Sequence, residues 1–281
     1  MIIFGPAGKP LMYKNKDLLS IPEFLASHGL YAMEYEAVRG VKISRDKAVK
    51  FGTSAGTHGL TLSLHAPYYI NLSSSNPITV KKSIERLLAS IHAASLMKAW
   101  IVVFHPGYYD AKLGKKSSLK AVIRSLAWIR KEVESYGIHG VYLGIETMGR
   151  TSQLGSLEEV LAVSSEVPGV YPVIDWAHIY ARTYGKIPRN TGDVVKIIDQ
   201  IENTLGHKVI RRLHMHFSTM EYGTKGELRH HTLSEPFGPS FKIIIEALCS
   251  IGVGGTIISE SPILEIDAIR MKNMYIDICG R

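Results

Sequence analysis

Cysteine is nearly missing: Cys249 and Cys279 are the two in 281 residues, too few for a disulfide scaffold or a cysteine-based zinc module. Long apolar runs are missing as well, none approaching the ~20 residues of a membrane helix. The opening MIIFGPAGKP carries no basic segment followed by an apolar stretch, the pattern of a secretory leader. A soluble, cytoplasmic monomer with no membrane partner is the expectation. Neither G-x-G-x-x-G after a strand nor G-x-x-x-x-G-K-[ST] occurs, which removes the usual nucleotide fingerprints. No linker-like, low-complexity or like-charge block divides the chain, so residues 1–281 are expected to form one domain.

What is abundant is histidine, with 12 copies, and base, with 33 Lys and Arg against 25 Asp and Glu. The +8 balance favours an anionic partner without requiring one. Short apolar runs alternate with longer amphipathic stretches. Strands are expected at Ile2–Phe4, Ala32–Ala37, Leu60–Leu64, Ala99–Phe104, Val141–Ile145, Val170–Ile174, Val209–His216 and Thr256–Ser259. Between them, Asn76-Pro77 reads as a helix cap and first turn, with Val80, Ile84, Leu87, Leu88 and Ile91 at helical spacing. Ser117 and Ser118 open a second such stretch, and Asp193–Leu205 and Pro239–Ile251 repeat it. Eight strand–helix units in this length suit an α/β fold, a (β/α)8 TIM barrel, with a doubly wound open sheet as the alternative. Gly52-Thr53-Ser54-Ala55-Gly56 matches G-x-S-x-G but leads into a strand rather than out of one, and is expected to be a loop.

The chemistry lies where the strands stop. The third ends in His65, the fourth in His105, the fifth in Glu146, the sixth in Asp175 and the eighth in Glu260, while the seventh carries His214 and His216. In a barrel these ends converge on the face where active sites are built. Acids and imidazoles gathered without matching Lys or Arg need cations to compensate them. Mixed His/carboxylate ligation suits zinc, manganese or iron better than magnesium or calcium. Asp175-x-x-His178 and Glu227-x-x-His230 offer further ligands. His214 and His216 face the same way, two residues apart in a strand; His216 is preferred as the direct ligand, with His214 as support or a further ligand. His231 is read as a loop contact.

With these residues in order, the chain resembles the endonuclease IV family of apurinic/apyrimidinic endonucleases. The likeness rests on His65-Ala66-Pro67-Tyr68-Tyr69-Ile70-Asn71, on Phe104-His105-Pro106-Gly107 and on Glu146-Thr147 with the later Leu154-Gly155. Asp175-x-x-His178, Arg229-His230-His231 and Ser259-Glu260-Ser261 complete it. The resemblance implies two to three zinc ions, or manganese or iron. His65, His105 and Glu146 would hold one; Glu146 would bridge to a second held by Asp175, Glu260 and His216 or His214; His178 and His230 would hold the third with a carboxylate. The family places an Asp two residues before that His, where this chain has Leu228, which makes Glu227 the replacement. The family's H-L-N-D on the seventh strand is also absent, replaced by His214-Met215-His216-Phe217. The implied reaction is hydrolysis of the phosphodiester 5′ to an abasic site in double-stranded DNA, with Glu146 and Glu260 as catalytic carboxylates and the cations activating a bridging water. Arg39, Tyr68 and Tyr69 would enter the gap in the base stack, and the stretch Tyr108–Lys116, with Tyr109, Lys112 and Lys115, would track phosphates. A sugar isomerase or epimerase using fewer of these ligands is the alternative, followed by a non-catalytic DNA- or metal-binding barrel.

Overall fold

The computed structural model describes residues 1–15 and 17–280. The chain runs β1 (Ile2–Pro6), α1 (Ile21–Ser27), β2 (Ala32–Glu36), α2 (Arg45–Thr57), β3 (Thr61–His65), α3 (Pro77–Met97), β4 (Ile101–Phe104), α4 (Gly114–Ser135), β5 (Tyr142–Glu146), α5 (Leu157–Glu166), β6 (Val170–Asp175) and α6 (Trp176–Arg182). It continues through α7 (Thr191–Leu205), α8 (His207–Ile210), β7 (Leu213–Phe217), β8 (Thr219–Gly223), β9 (Gly226–His231), α9 (Phe241–Ser250), β10 (Gly255–Ser259) and α10 (Glu265–Cys279).

Eight strands form one parallel sheet in the order β1-β10-β7-β6-β5-β4-β3-β2. The sheet curls until its two edges meet: Ala7 bridges Glu34, and the Gly8 amide donates to the Glu34 carbonyl at 2.9 Å. Gly5 permits this closure, because a Cβ there would fall on the carbonyl of Ala32. The nearly closed (β/α)8 barrel is thereby established and the open sheet excluded. Local signals place the surrounding helices. Asn76 caps α3 by accepting from the Ile78 amide at 2.9 Å, and Ser156 with Glu159 forms a capping box on α5. Leu87, Ile91 and Ala94 of α3, and Val122, Leu126 and Ile129 of α4, then bury against the strands.

Three expectations are corrected. The strand read from Val209 begins at Leu213, because Gly206, at φ +88°, turns the chain into the short helix α8 first. Helix α4 starts at Gly114 rather than Ser117, so Lys115 stands on a helix; the Ser118 hydroxyl is used inside, accepting from the Asp110 amide at 3.0 Å. The G-x-S-x-G stretch is helical within α2, where the Ser54 hydroxyl donates to the Leu19 carbonyl at 2.6 Å. An antiparallel hairpin, β8–β9, stands between β7 and α9. Cys249 and Cys279 are juxtaposed as a disulfide pair with Cα atoms 5.9 Å apart, within the span a bridge requires. Among the described residues, no helix is long and apolar enough to cross a membrane.

Candidate metal centre

The carboxylate of Glu146, fully buried at the end of β5, is the hub on the barrel's C-terminal face. Its Oε2 lies 3.0 Å from His105 Nε2 and 3.4 Å from His65 Nε2. Its Oε1 lies 3.2 Å from His178 Nδ1 and 3.3 Å from His216 Nδ1. Register explains why these groups meet: parallel pairing aligns Asp175 with His216 and His65 with Val103, two residues before His105. Asp175 ends β6 and also caps α6, its Oδ1 accepting from the His178 amide at 2.7 Å. That cap makes the Asp175-x-x-His178 spacing productive, since it sets His178 on the first turn facing the cavity.

Outer contacts decide which imidazole nitrogens are free. His65 Nδ1 donates to the Ala66 carbonyl at 2.8 Å, and His178 Nδ1 to the Thr147 carbonyl at 2.9 Å. In both rings Nε2 is therefore the nitrogen with a lone pair for a ligand. His65 Nε2 then faces Glu146, and His178 Nε2 faces Glu227 Oε2 at 3.5 Å. His230 comes from β9, with Nδ1 at 2.8 Å from the Ser218 hydroxyl and its ring 5.8 Å from that of His178. Leu228 is turned outward, 58% exposed, as a Glu227-for-Asp exchange requires.

Among the described residues, three sets bring ligand atoms within 4.8 Å of one another: His65, His105 and Glu146; Glu146, Asp175, His216 and Glu260; and Glu34, His214 and His216. His178 approaches both Glu227 and His230, but these three are not among the sets that converge that closely. Glu34 was not anticipated. It projects from β2 into the barrel, its Oε2 3.0 Å from His214 Nε2 and its Oε1 3.1 Å from His216 Nε2. The signal was the alternation of Glu34 and Glu36 in Ala-Met-Glu-Tyr-Glu, two acids on the inward face of a strand. His231, expected in a loop, lies on β9 and braces the hairpin base between Glu221 and Glu235 at 3.2 and 2.7 Å.

The electrostatics are those of a centre short of positive charge. Burial alone would raise the Glu146 carboxyl, yet the imidazoles of His105, His178 and His216 hold it well below the ordinary carboxylate range. Glu260 likewise falls to about 2, held down against burial chiefly by His216. Burial pushes Asp175 up to about 6, and Glu36 to about 8 despite the nearby His65. Glu34 Oε1, Glu146 Oε1, Asp175 Oδ2, Glu227 Oε2 and both nitrogens of His216 are buried without a hydrogen-bond partner. Among the described residues, Arg150 Nε to Glu227 at 3.7 Å is the single Lys or Arg ion pair to these acids. Buried acceptors facing one another fit divalent cations.

Around the mouth, Tyr68 stacks on His105 with centroids 5.3 Å apart, and burial beside the acids raises its hydroxyl pKa. The Tyr68 amide donates to the Val38 carbonyl at 3.3 Å, which sets the loop of Arg39 beside that of Tyr68 and Tyr69. Arg86 lies over the Tyr69 ring at 5.7 Å. The Tyr109 hydroxyl is engaged by Glu159 at 2.8 Å and Arg182 at 3.0 Å, with Lys115 over its ring at 4.8 Å. Lys112 and Lys115 are exposed.

This geometry has relatives. An uncharacterized protein of Methanocaldococcus jannaschii is 35% identical over 275 residues, covering 98% of this chain and 97% of that protein. Two solved structures share the fold: endonuclease IV from Thermus thermophilus, at TM-score 0.72 and 18% identity over 99% of this chain and 98% of that one, and a D-tagatose 3-epimerase-like protein, at TM-score 0.70 and 21% identity over 98% of each. The family model for a xylose isomerase-like TIM barrel matches residues 22–271, and the chain belongs to that family.

Proposed function

We propose that this protein is a metal-dependent phosphodiesterase of the endonuclease IV kind, hydrolysing DNA 5′ to abasic sites. One observation carries the reading: the two oxygens of Glu146 face different ligand sets, Oε2 toward His65 and His105 and Oε1 toward His216. A carboxylate shared in this way serves adjacent cations, the arrangement that suits a phosphate with an attacking and a leaving oxygen. His65, His105, Glu146, Asp175, His216 and Glu260 would hold two of them, and His178, His230 and Glu227 a third. Zinc is the proposed metal, with manganese or iron as substitutes, on the mixed donor set. When bound, such cations would neutralise the phosphate and lower the pKa of a coordinated water.

The chain's own residues supply the rest. Glu146 and Glu260 are kept anionic by their imidazole neighbours, which suits them to hold cations and to orient a water. Tyr68, over His105, walls the centre, and Arg39 and Tyr69 are the side chains proposed to probe a gapped base stack. Lys112 and Lys115, with the ring of Tyr109, offer a positive edge for the DNA backbone. The test is metal analysis of purified protein together with nicking of a duplex bearing one abasic site; two or three cations and a 3′-hydroxyl product are expected. A second reading, a sugar epimerase, draws on Glu146, Asp175, His216 and Glu260 forming a complete four-ligand set by themselves. One cation per chain, no nicking, and epimerisation of a ketohexose would put it first.

A further inference from the structure

The interior of a barrel strand is ordinarily filled by aliphatic side chains, and a fully buried carboxylate there needs a reason. Glu34 has two imidazoles for neighbours, both from β7 and 180 residues away for His214. His214 Nε2 donates to Oε2 at 3.0 Å, and His216 Nε2 stands 3.1 Å from Oε1. His214 sits deeper, edge-on to Trp100 with ring centroids 5.8 Å apart, away from the site mouth. Across its own ring His216 presents Nδ1 to Glu146 Oε1 at 3.3 Å and Glu260 Oε1 at 3.1 Å. His216 thus lies between a carboxylate behind it and two carboxylates before it.

A neutral imidazole has one N–H and one lone pair. We propose that Glu34, 3.1 Å from Nε2, is the positioning residue that keeps the proton of a cation-bound His216 on Nε2, so that Nδ1 is the lone pair turned toward Glu146, Asp175 and Glu260. His214, in turn, occupies the second Glu34 oxygen and keeps the carboxylate from rotating toward the cations. This assigns the two histidines of β7 different work: His216 ligates and His214 supports the carboxylate behind it. A carboxylate behind a ligating imidazole fixes the ring and raises its basicity, and losing one lowers metal affinity by about 10- to 100-fold. The proposal rests on reading this cluster as a cation centre and is independent of which substrate the centre acts on.

The test has two arms. Nitrogen-15 spectra of histidine-labelled wild-type protein loaded with zinc should show His216 protonated at Nε2 and zinc-bound at Nδ1; the peak is assigned with His216→Asn. Zinc affinity, measured by competition with a chromophoric chelator, should fall about 10-fold in Glu34→Gln, which keeps shape and loses charge, and about 100-fold in Glu34→Met, which removes the acceptor. Melting curves check that each variant folds, and if Glu34→Met does not, Glu34→Gln and the spectrum decide. A His216 protonated at Nδ1, or a folded Glu34 variant that binds zinc within twofold of wild type, overturns the proposal. A folded wild type that binds no zinc overturns the metal-centre reading itself, whereas zinc binding with His216 coordinated through Nε2 overturns the proposal alone.

Discussion

Glu227 Oε2 lies 3.5 Å from His178 Nε2, joining the tip of the β8–β9 hairpin to the first turn of α6. The contact offers a carboxylate next to Leu228, which stands where the endonuclease IV pattern would have an Asp. Glu227→Ala is expected to hold one cation fewer than wild type and to lose most nicking activity. Its other partner, Arg150 at 3.7 Å, is on the surface, so the change in stability should stay within about 1 kcal/mol. Elemental analysis beside a thermal melt checks this; an unchanged metal content would exclude Glu227 as a ligand.

Gly149 makes that contact possible. A Cβ there would stand 2.7 Å from both Cβ and Oε2 of Glu227 and 3.1 Å from His178 Cδ2. Gly149→Ala should therefore displace the hairpin tip at a cost of about 1–3 kcal/mol and reproduce the metal loss of Glu227→Ala. A variant with wild-type stability and full metal content would mean that the hairpin yields freely and Glu227 is not held in place.

Glu146→Gln should separate catalysis from binding. One amide cannot serve both ligand sets as two anionic oxygens would, whereas on the proposed reading a duplex would be gripped through phosphates at the rim. Single-turnover nicking should drop by about 10²–10³-fold, the scale of losing one preorganised electrostatic group. Affinity for an abasic duplex should change far less. Equal losses in both measurements would remove Glu146 from the role of bridge.

The barrel and most of the centre could be read from sequence because each depends on short-range pattern. His65, His105, Glu146, Asp175 and Glu260 follow apolar runs directly, and in this fold a strand end is a position in space. Glu34 escaped because it lies inside a strand, where reading only the last residue passes over it, and because its partners are far away in sequence. The hairpin escaped for a related reason. Gly223-Thr224-Lys225-Gly226 is a turn signal, but the alternation in Glu221–Tyr222 and Glu227–His230 is polar on both sides, so hydrophobic periodicity does not mark it. At Val209 and Ile210 β-branched residues suggested a strand, and the turn at Gly206 overrode that preference.

Proton release offers a check on the centre that needs no substrate. Burial by itself lowers the His65 imidazole, but Glu146, Glu36 and Glu34 together raise it to about 10. Because this lies above the unfolded value near 6.5, the proton stabilises the metal-free fold in full below about pH 6.5, and that contribution is lost as the pH rises through about 10. Metal-free protein should accordingly melt at progressively lower temperature from pH 7 to pH 10, with a smaller decline in His65→Gln. Zinc requires the lone pair of Nε2, since Nδ1 is committed to the Ala66 carbonyl, so binding at pH 7 must expel the His65 proton. Glu146 and Glu260 are already anionic and release none. Titrating zinc into weakly buffered, metal-free protein with a pH indicator should show more protons released per zinc in wild type than in His65→Gln. Equal release by the two proteins, with equal melting behaviour up to pH 10, would show that His65 carries no proton for a cation to displace.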